Sequence, residues 1–317
     1  MGMIEKFYTF IIFLAVVTGL LLGKVDLIQA HADSILIPLL VIMLYLTFLH
    51  IRFREIRSSF LNLKFSITAL LINFVWVPFL AWVLVGLFLD HPALAIGFIM
   101  LMVTPCTDWY LIFTGVARGN LALSTAILPL NLILQILLLP IFLLLFTGTR
   151  GGIEGAYFIE GVVIVLLLPL LLAGLTQLLL KNKEQLQSKI LSKLSVLPIV
   201  FLAFAIMAMF ASHGQLLVEN IELLWSLILP VLLFFVLNFF FGQLVGRSLK
   251  FSYADRASLS LTTLARNSPI ALALAMTAFP DQPLIALTLI IGPLIELPVL
   301  AVVTQVLVWQ RKREERN

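Results

Sequence analysis

Long apolar runs follow one another along almost the whole chain of 317 residues. A helix needs about 20 predominantly apolar residues to cross the hydrocarbon core of a bilayer. Hydrophobic residues make up 62% of the chain and charged residues 11%, so a water-soluble domain could not bury this much apolar surface. The predicted spans are 7–23, 34–49, 65–89, 93–117, 121–147, 158–180, 194–212, 223–246, 257–279 and 283–309. The sequence therefore predicts an all-α polytopic membrane protein with ten transmembrane helices.

The joints between the spans are short, so the chain is predicted to be a single integral membrane unit over residues 1–317. The first run is interpreted as a retained helix, because no small-residue cleavage motif follows it. The lone cysteine, Cys106, excludes an internal disulfide. No cofactor and no metal site are expected. No nucleic acid is expected either, because the basic residues lie in loops between spans.

The basic residues also predict the orientation of the chain. With a cytoplasmic N-terminus, seventeen of the twenty Lys and Arg residues lie on the cytoplasmic side, two lie outside, and Arg266 lies within the membrane. Lys and Arg accumulate in cytoplasmic loops. We therefore expect ten spans in the plasma (cytoplasmic) membrane, with both termini in the cytoplasm.

One polar stretch interrupts the ninth span at Arg266, Asn267, Ser268 and Pro269. A charge near the bilayer centre costs between about 2.5 and 17 kcal/mol, so an intramembrane Arg is a candidate functional residue with a partner to be found. Proline removes a backbone donor, and non-helical backbone at membrane depth survives only beside protein or water. The stretch therefore predicts a broken helix at a functional site.

The prolines suggest an internal repeat. Pro105 and Pro129 are 24 residues apart, as are Pro269 and Pro293, and a shift of 164 relates the two pairs. Chance is a competing explanation, because prolines are common in membrane helices. Polar interruptions accompany Pro105 in span four and Pro269 in span nine, and matched broken helices in inverted halves point to the midplane site of a secondary transporter. We expect two inverted five-helix repeats, about 1–150 and 151–317, with helices four and nine broken.

Polar residues of spans four, five, nine and ten lie at a similar depth, near the centre of each span. Two carboxylates and one guanidinium at this level allow one carboxylate to pair with Arg266. The other could then take up a proton or attract a cationic ligand. The candidate proton-coupling residues are Glu296 and Asp108. The candidate substrate-binding residues are Cys106, Thr107, Asp108, Asn131, Gln135, Arg266, Asn267 and Ser268.

Each candidate also has a structural interpretation. Cys106 could be a small buried hydrophobe, and Asn131 and Gln135 could bond between helices without touching a solute. Arg266 and Glu296 could form a purely structural buried pair. The free-energy cost of placing charged side chains at the bilayer midplane, however, favours a functional role.

Four strings of the sequence resemble the bile acid/sodium symporter superfamily, and within it the arsenite-efflux permeases and their "arsenic resistance protein" relatives. The strings are TPCTDWYLIFTGVARGN at 104–120, LPLNLILQILLLP at 128–140, ARNSPIALALA at 265–275 and IIGPLIELPVL at 290–300. The resemblance implies a ten-helix fold with a core domain, in which the broken fourth and ninth helices cross at the midplane, and a panel domain. It also implies elevator-like alternating access.

The resemblance places Cys106 where arsenite permeases have a functionally required cysteine, and Glu296 on the acidic residue of their last helix. Some positions differ from the family pattern. Where sodium-coupled members place Ser, Asn, Glu and Gln, this chain has Tyr110, Leu111, Thr262 and Arg266. The arsenite permeases carry an aromatic and acidic string where this chain has 266–269. A guanidinium at a sodium-ligand position favours coupling to protons over sodium.

The sequence predicts a proton-coupled secondary transporter that exports arsenite, a related small oxyanion or a neutral hydroxide. The alternative is a sodium- or proton-coupled uptake symporter for an organic anion, with Arg266 binding a carboxylate or sulfonate. An enzyme is not expected, because the chain has no GxSxG or HExxH motif, and the lack of a P-loop is taken to exclude an ATP-driven pump within this chain. Beyond the lipid bilayer and the small anion, a homodimer partner is left open.

Overall fold

A computed structural model describes residues 3–50, 62–106, 109–147, 162–180, 190–194, 196–219 and 221–315. Within these ranges the chain is helical and forms no β-strand. The first half contains helices α1 (Met3–Leu22), α2 (Asp26–Leu49), α3 (Leu63–Leu71), α4 (Val77–Phe88), α5 (Pro92–Met102), α6 (Trp109–Val116) and α7 (Leu121–Thr147). The second half contains α8 (Leu168–Leu179), α9 (Leu197–Glu219), α10 (Ile221–Ser248), α11 (Tyr253–Leu264), α12 (Ser268–Ala278) and α13 (Pro283–Glu314).

Within the described part of the chain, six helical segments are long and apolar enough to cross a membrane. They are Asp26–Leu49, Leu63–Phe88, Leu121–Leu143, Ile190–Leu216, Trp225–Ser248 and Pro283–Glu314. Large apolar side chains also remain exposed on these helices, among them Trp82 at 56% and Trp225 at 64%. So much exposed apolar surface is typical of a protein surrounded by lipid. The ten-span arrangement with inverted halves stays a prediction.

The chain packs into two compact units, and each unit uses segments from both halves of the sequence. The first unit comprises Met1–Ile51, Gly152–Leu224 and Pro269–Ile290. The second unit comprises Arg52–Gly151, Trp225–Ser268 and Ile291–Asn317.

In the first unit, α9 packs against both α1 and α2, and α8 packs against α2. The contact with α1 depends on glycine. A Cβ atom on Gly19 would lie 2.5 Å from the carbonyl oxygen of Met207, and one on Gly23 would lie 2.6 Å from that of Ala211. Small residues let membrane helices approach until their backbones touch. Gly19 and Gly23 therefore set the spacing between α1 and α9.

In the second unit, α5 and α6 form one interrupted hydrophobic segment that packs beside α7, while α11 contacts α3, α6 and α7. The segment between α3 and α4, Ile72–Trp76, is a π-helical turn within an otherwise continuous helix. Such turns insert one extra residue and often occur at functional sites. This turn places Asn73 in the buried interior.

Candidate functional site

Two helical segments are interrupted, as the sequence predicts. Helix α5 ends at Met102, and residues 103–106 are not helical. Helix α11 ends at Leu264, and α12 begins at Ser268. Proline at 105 lacks a backbone donor, and the last carbonyls of any helix lack partners within the helix. Each interruption therefore exposes backbone groups that need partners elsewhere.

The two interruptions pair with each other. Pro105 and Arg266 form an isolated antiparallel β-bridge. The Cys106 N–H donates to the Ala265 carbonyl at 2.9 Å, and the Asn267 N–H donates to the Thr104 carbonyl at 2.7 Å. Unpaired backbone groups away from water are costly. The bridge satisfies four of them and joins the two breaks.

The guanidinium of Arg266 lies at the ends of both interrupted helices, and the residue is 1% exposed. Its Nη1 donates to the Met102 carbonyl of α5 at 2.7 Å, and its Nε donates to the Leu264 carbonyl of α11 at 3.1 Å. Its Nη2 donates to the Thr263 carbonyl and, at 3.2 Å, to Oδ1 of Asn73. Arg266 therefore caps two helix C-termini, where the helix dipole favours a positive charge.

Asn73 connects this cap to α7. Its Oδ1 accepts from Arg266, and its Nδ2 donates to Oδ1 of Asn131 at 3.3 Å and to the Thr262 carbonyl at 3.5 Å. Asn73, Asn131 and Thr262 are all fully buried. The π-helical turn thus places one amide between the guanidinium and the polar face of α7.

Glu296 of α13 is 3% exposed. Its Oε1 accepts a hydrogen bond of 2.8 Å from the backbone N–H of Arg266, within the bridge between the breaks. One turn earlier on α13, the absence of a side chain on Gly292 makes room for Leu101 of α5, whose Cδ2 would lie 2.7 Å from an added Cβ. The carboxylate is thus held directly against the interrupted backbone.

Unsatisfied amide groups lie beside this network. Gln135 is 1% exposed, and neither its amide nitrogen nor its amide oxygen has a hydrogen-bond partner within the described structure. The same is true of the Asn131 amide nitrogen and the Thr262 hydroxyl. Buried polar groups are nearly always hydrogen-bonded, so each exception needs an explanation. A polar solute or water could supply both the missing donors and the missing acceptors.

The structure brings together several of the predicted site residues. Backbone atoms of Cys106 and Asn267 form the bridge, Arg266 and Glu296 meet there, and Asn131 joins through Asn73. Ser268 is 4% exposed and follows the second break directly. Thr107 and Asp108 lie outside the described residues.

Sequence reasoning missed Asn73 and the aromatic partner of Arg266, Phe234, whose ring centroid lies 5.5 Å from the guanidinium carbon. It also missed Asn238, which donates to the Thr263 carbonyl at 2.5 Å. The available signal was an amide in the middle of each apolar run, at 65–89 and at 223–246. Polar residues inside membrane helices are rare and usually face the protein interior.

A family model described as the Sodium Bile acid symporter family matches residues 37–220, which is more than half of the chain. The chain is 25% identical to an arsenical-resistance protein of Corynebacterium glutamicum, with 96% of this chain and 89% of the relative covered. It is 27% identical to an uncharacterized transporter of Synechocystis, with 96% and 88% covered. It is also 25% identical to an uncharacterized protein of Bacillus subtilis, with 77% and 79% covered.

Proposed function

We propose that this chain, which belongs to the sodium bile acid symporter family, exports arsenite, a related small oxyanion or a neutral hydroxide in exchange for protons. The family consists of membrane transporters and not of enzymes. The observation that carries the proposal is the buried network in which Glu296 accepts from Arg266 at the junction of two broken helices. The arsenical-resistance relative supports the choice of arsenite.

Glu296 is the proposed proton carrier. Its carboxylate accepts from the peptide N–H of Arg266, which belongs to the bridge between the two breaks. A hydrogen bond to an ionised carboxylate is roughly twice as strong as a neutral one. Protonation would weaken this bond and thereby destabilise the backbone bridge between Pro105 and Arg266. Proton binding and the conformation of the breaks would thereby be coupled. Asp108, the other carboxylate proposed from the sequence, is kept as a second candidate.

The proposed solute site lies beside the bridge, on the polar residues that the sequence singled out. Cys106 supplies a buried thiol, and Asn131 and Gln135 supply amide groups whose hydrogen-bonding capacity is not fully used by the residues that the structure describes. Thr107, Asp108, Asn267 and Ser268 complete the proposed set. A lining that mixes donors and acceptors suits a small hydroxylated solute, because a hydroxyl both donates and accepts.

An uptake symporter for an organic anion is the second candidate, favoured by the family model, whose description names bile acid. In that case Arg266 would bind a carboxylate or sulfonate. Its guanidinium, however, donates to three carbonyls and one amide oxygen, which leaves little capacity for a bidentate contact with an anion. This observation favours the exporter.

Transport into inverted membrane vesicles tests the proposal. We expect arsenite to accumulate when the vesicle interior is acid, to be released by a protonophore, and to require no sodium. The Glu296→Gln variant should lose this accumulation, while Glu315→Gln, at an exposed glutamate that directly follows α13, should retain it. Sodium-stimulated uptake of taurocholate by whole cells, with no proton-driven arsenite flux, would instead establish the organic-anion symporter.

The thiol is tested in the same vesicles. If Cys106 contacts trivalent arsenic, Cys106→Ser should lower arsenite transport by about tenfold, the equivalent of one moderate contact. Proton-driven transport of an oxyanion such as arsenate should change far less. Equal retention of both activities would mean that the thiol only fills space.

A further inference from the structure

Four oxygen atoms converge on the guanidinium of Arg266. Three are the backbone carbonyls of Met102, Thr263 and Leu264, and the fourth is the side-chain Oδ1 of Asn73. We call these atoms the oxygen cage. The carbonyls come from the C-terminal ends of α5 and α11, and each helix C-terminus carries the equivalent of about half a negative charge.

Such a cage is the usual chemistry of a cation site. Unwound carbonyls and half-helix C-termini coordinate small cations in transporters with broken helices. Here the cage binds the protein's own cation, which also lies over the ring of Phe234. The guanidinium uses four of its five N–H donors on the cage, so its principal partners are protein atoms and not a solute.

We propose that Arg266 is a tethered cation, and that removing its side chain leaves a vacant site for a free monovalent cation. The cage oxygens remain when the side chain is removed, because three belong to the backbone and the fourth to another residue. In the Arg266→Ala protein these acceptors face each other without a positive charge. A free guanidinium ion matches the lost group in shape and donors, and a sodium ion matches its charge. The inference holds for any solute that the protein carries, since the cage does not depend on one.

Thermal unfolding of the purified full-length chain in detergent tests the inference. Arg266→Ala should unfold at a lower temperature than the wild type in choline chloride. Guanidinium chloride at low millimolar concentration should raise the unfolding temperature of Arg266→Ala most of the way to the wild-type value, and the effect should saturate. Sodium chloride should raise it part of the way. The wild type should respond equally to all three salts, because its cage is filled. A response of Arg266→Ala that is equal in all three salts would overturn the inference.

Two further variants separate a cage from a general effect of salt. Arg256→Ala removes an arginine of α11 that pairs with Glu314, and this variant should show no preference for guanidinium over choline. Adding Asn73→Ala to Arg266→Ala removes one cage oxygen and should raise the guanidinium concentration needed for recovery several-fold.

If the Arg266→Ala protein does not accumulate in membranes, two other variants test the same inference. Arg266→Lys and Arg266→Met differ in charge, whereas both carry a long flexible side chain. If the cage needs a cation, the Lys variant should accumulate in membranes and the Met variant should accumulate less, with recovery when cells grow in guanidinium. Equal accumulation of both variants without guanidinium would overturn the tethered-cation assignment.

Discussion

Glu296 accepts a hydrogen bond of 2.8 Å from the backbone N–H of Arg266, so a buried carboxylate contacts the peptide that joins two helix interruptions. This relationship connects a titratable group to the local structure of the breaks. Protonation of the Glu296 carboxylate would remove its charge and also weaken its hydrogen bond to the backbone N–H of Arg266.

The first prediction concerns the charge of Glu296. Glu296→Gln retains an oxygen that can accept from the Arg266 N–H, so the protein should still fold and reach the membrane. The amide cannot take up or release a proton, so we expect proton-driven transport in vesicles to be lost. Normal gradient-driven flux in a well-expressed variant would remove Glu296 from the coupling mechanism.

The second prediction concerns Asn73. Asn73→Leu removes the acceptor for Arg266 Nη2 and the donor to Asn131 Oδ1. A buried group left without its partner costs about 1–3 kcal/mol. We expect a loss of that size in the free energy of unfolding, measured by denaturant titration in detergent, together with reduced transport.

Asn120→Leu provides the matched control for Asn73. The side-chain nitrogen of Asn120 donates to Asp255 at 2.9 Å and its oxygen accepts from the Leu123 N–H at 3.3 Å, but both contacts are only partly buried. Water can replace a partner there, so the loss in unfolding free energy should be smaller. If both variants lose the same free energy of unfolding, the network around Arg266 contributes no more to stability than a partly buried amide contact does.

The third prediction uses the unsatisfied amide of Gln135. Replacing a buried polar group that has no partner removes a penalty of about 1–3 kcal/mol. Gln135→Met should therefore unfold at a higher temperature than the wild type, while its transport rate falls about tenfold because a solute contact is lost. Such opposite changes are expected for a residue retained for function and not for stability.

Gln177→Met controls for the loss of a glutamine as such. Its side-chain nitrogen donates to the Phe48 carbonyl at 3.2 Å and to the Leu49 carbonyl at 3.1 Å, so its replacement should lower stability by about 0.5–1.5 kcal/mol. If Gln135→Met is also destabilised, the Gln135 amide has partners in the native protein and the proposed solute contact loses its basis.

The fourth prediction concerns the packing of α1 on α9. Gly19→Ala places a methyl group 2.5 Å from the Met207 carbonyl, so the helices must separate, at a cost of about 1–3 kcal/mol. Gly174→Ala on α8 is the control, because nothing lies within 4 Å of its added Cβ. It should be neutral or stabilise by up to about 1 kcal/mol. Gly19→Ala should therefore melt at a lower temperature than Gly174→Ala. Equal melting temperatures would contradict the close approach of α1 and α9.

The sequence predicts the helix interruptions well, because their causes are local. A proline and a run of polar residues in an apolar span are visible without any knowledge of neighbours, as at Pro105 and at 266–269. The depth argument likewise predicts that Arg266, Glu296 and Asn131 lie near one another. Each conclusion follows from the rise of a helix and from the cost of burying polar groups.

The partners of these residues could not be predicted, because they are backbone atoms or depend on packing. Counting side-chain charges suggests a partner for the guanidinium among the carboxylates, whereas the structure shows carbonyls around the guanidinium and a peptide N–H on Glu296. Asn73 reaches the site through a π-helical turn, which extends one helical turn by a residue and has no clear sequence signature here. The spacing of residues does not specify contacts with a solute, so it does not determine the substrate, the coupling ion or the direction of transport.

The antiparallel bridge between Thr104–Cys106 and Ala265–Asn267 also constrains how the gene can vary. Neighbouring residues in an extended segment point to opposite sides, so inserting or deleting one codon in either segment would turn its side chains over and misalign both hydrogen bonds. A compensating insertion in the other segment would not restore the original pairing of Pro105 with Arg266. The pairing therefore constrains the length of each interruption.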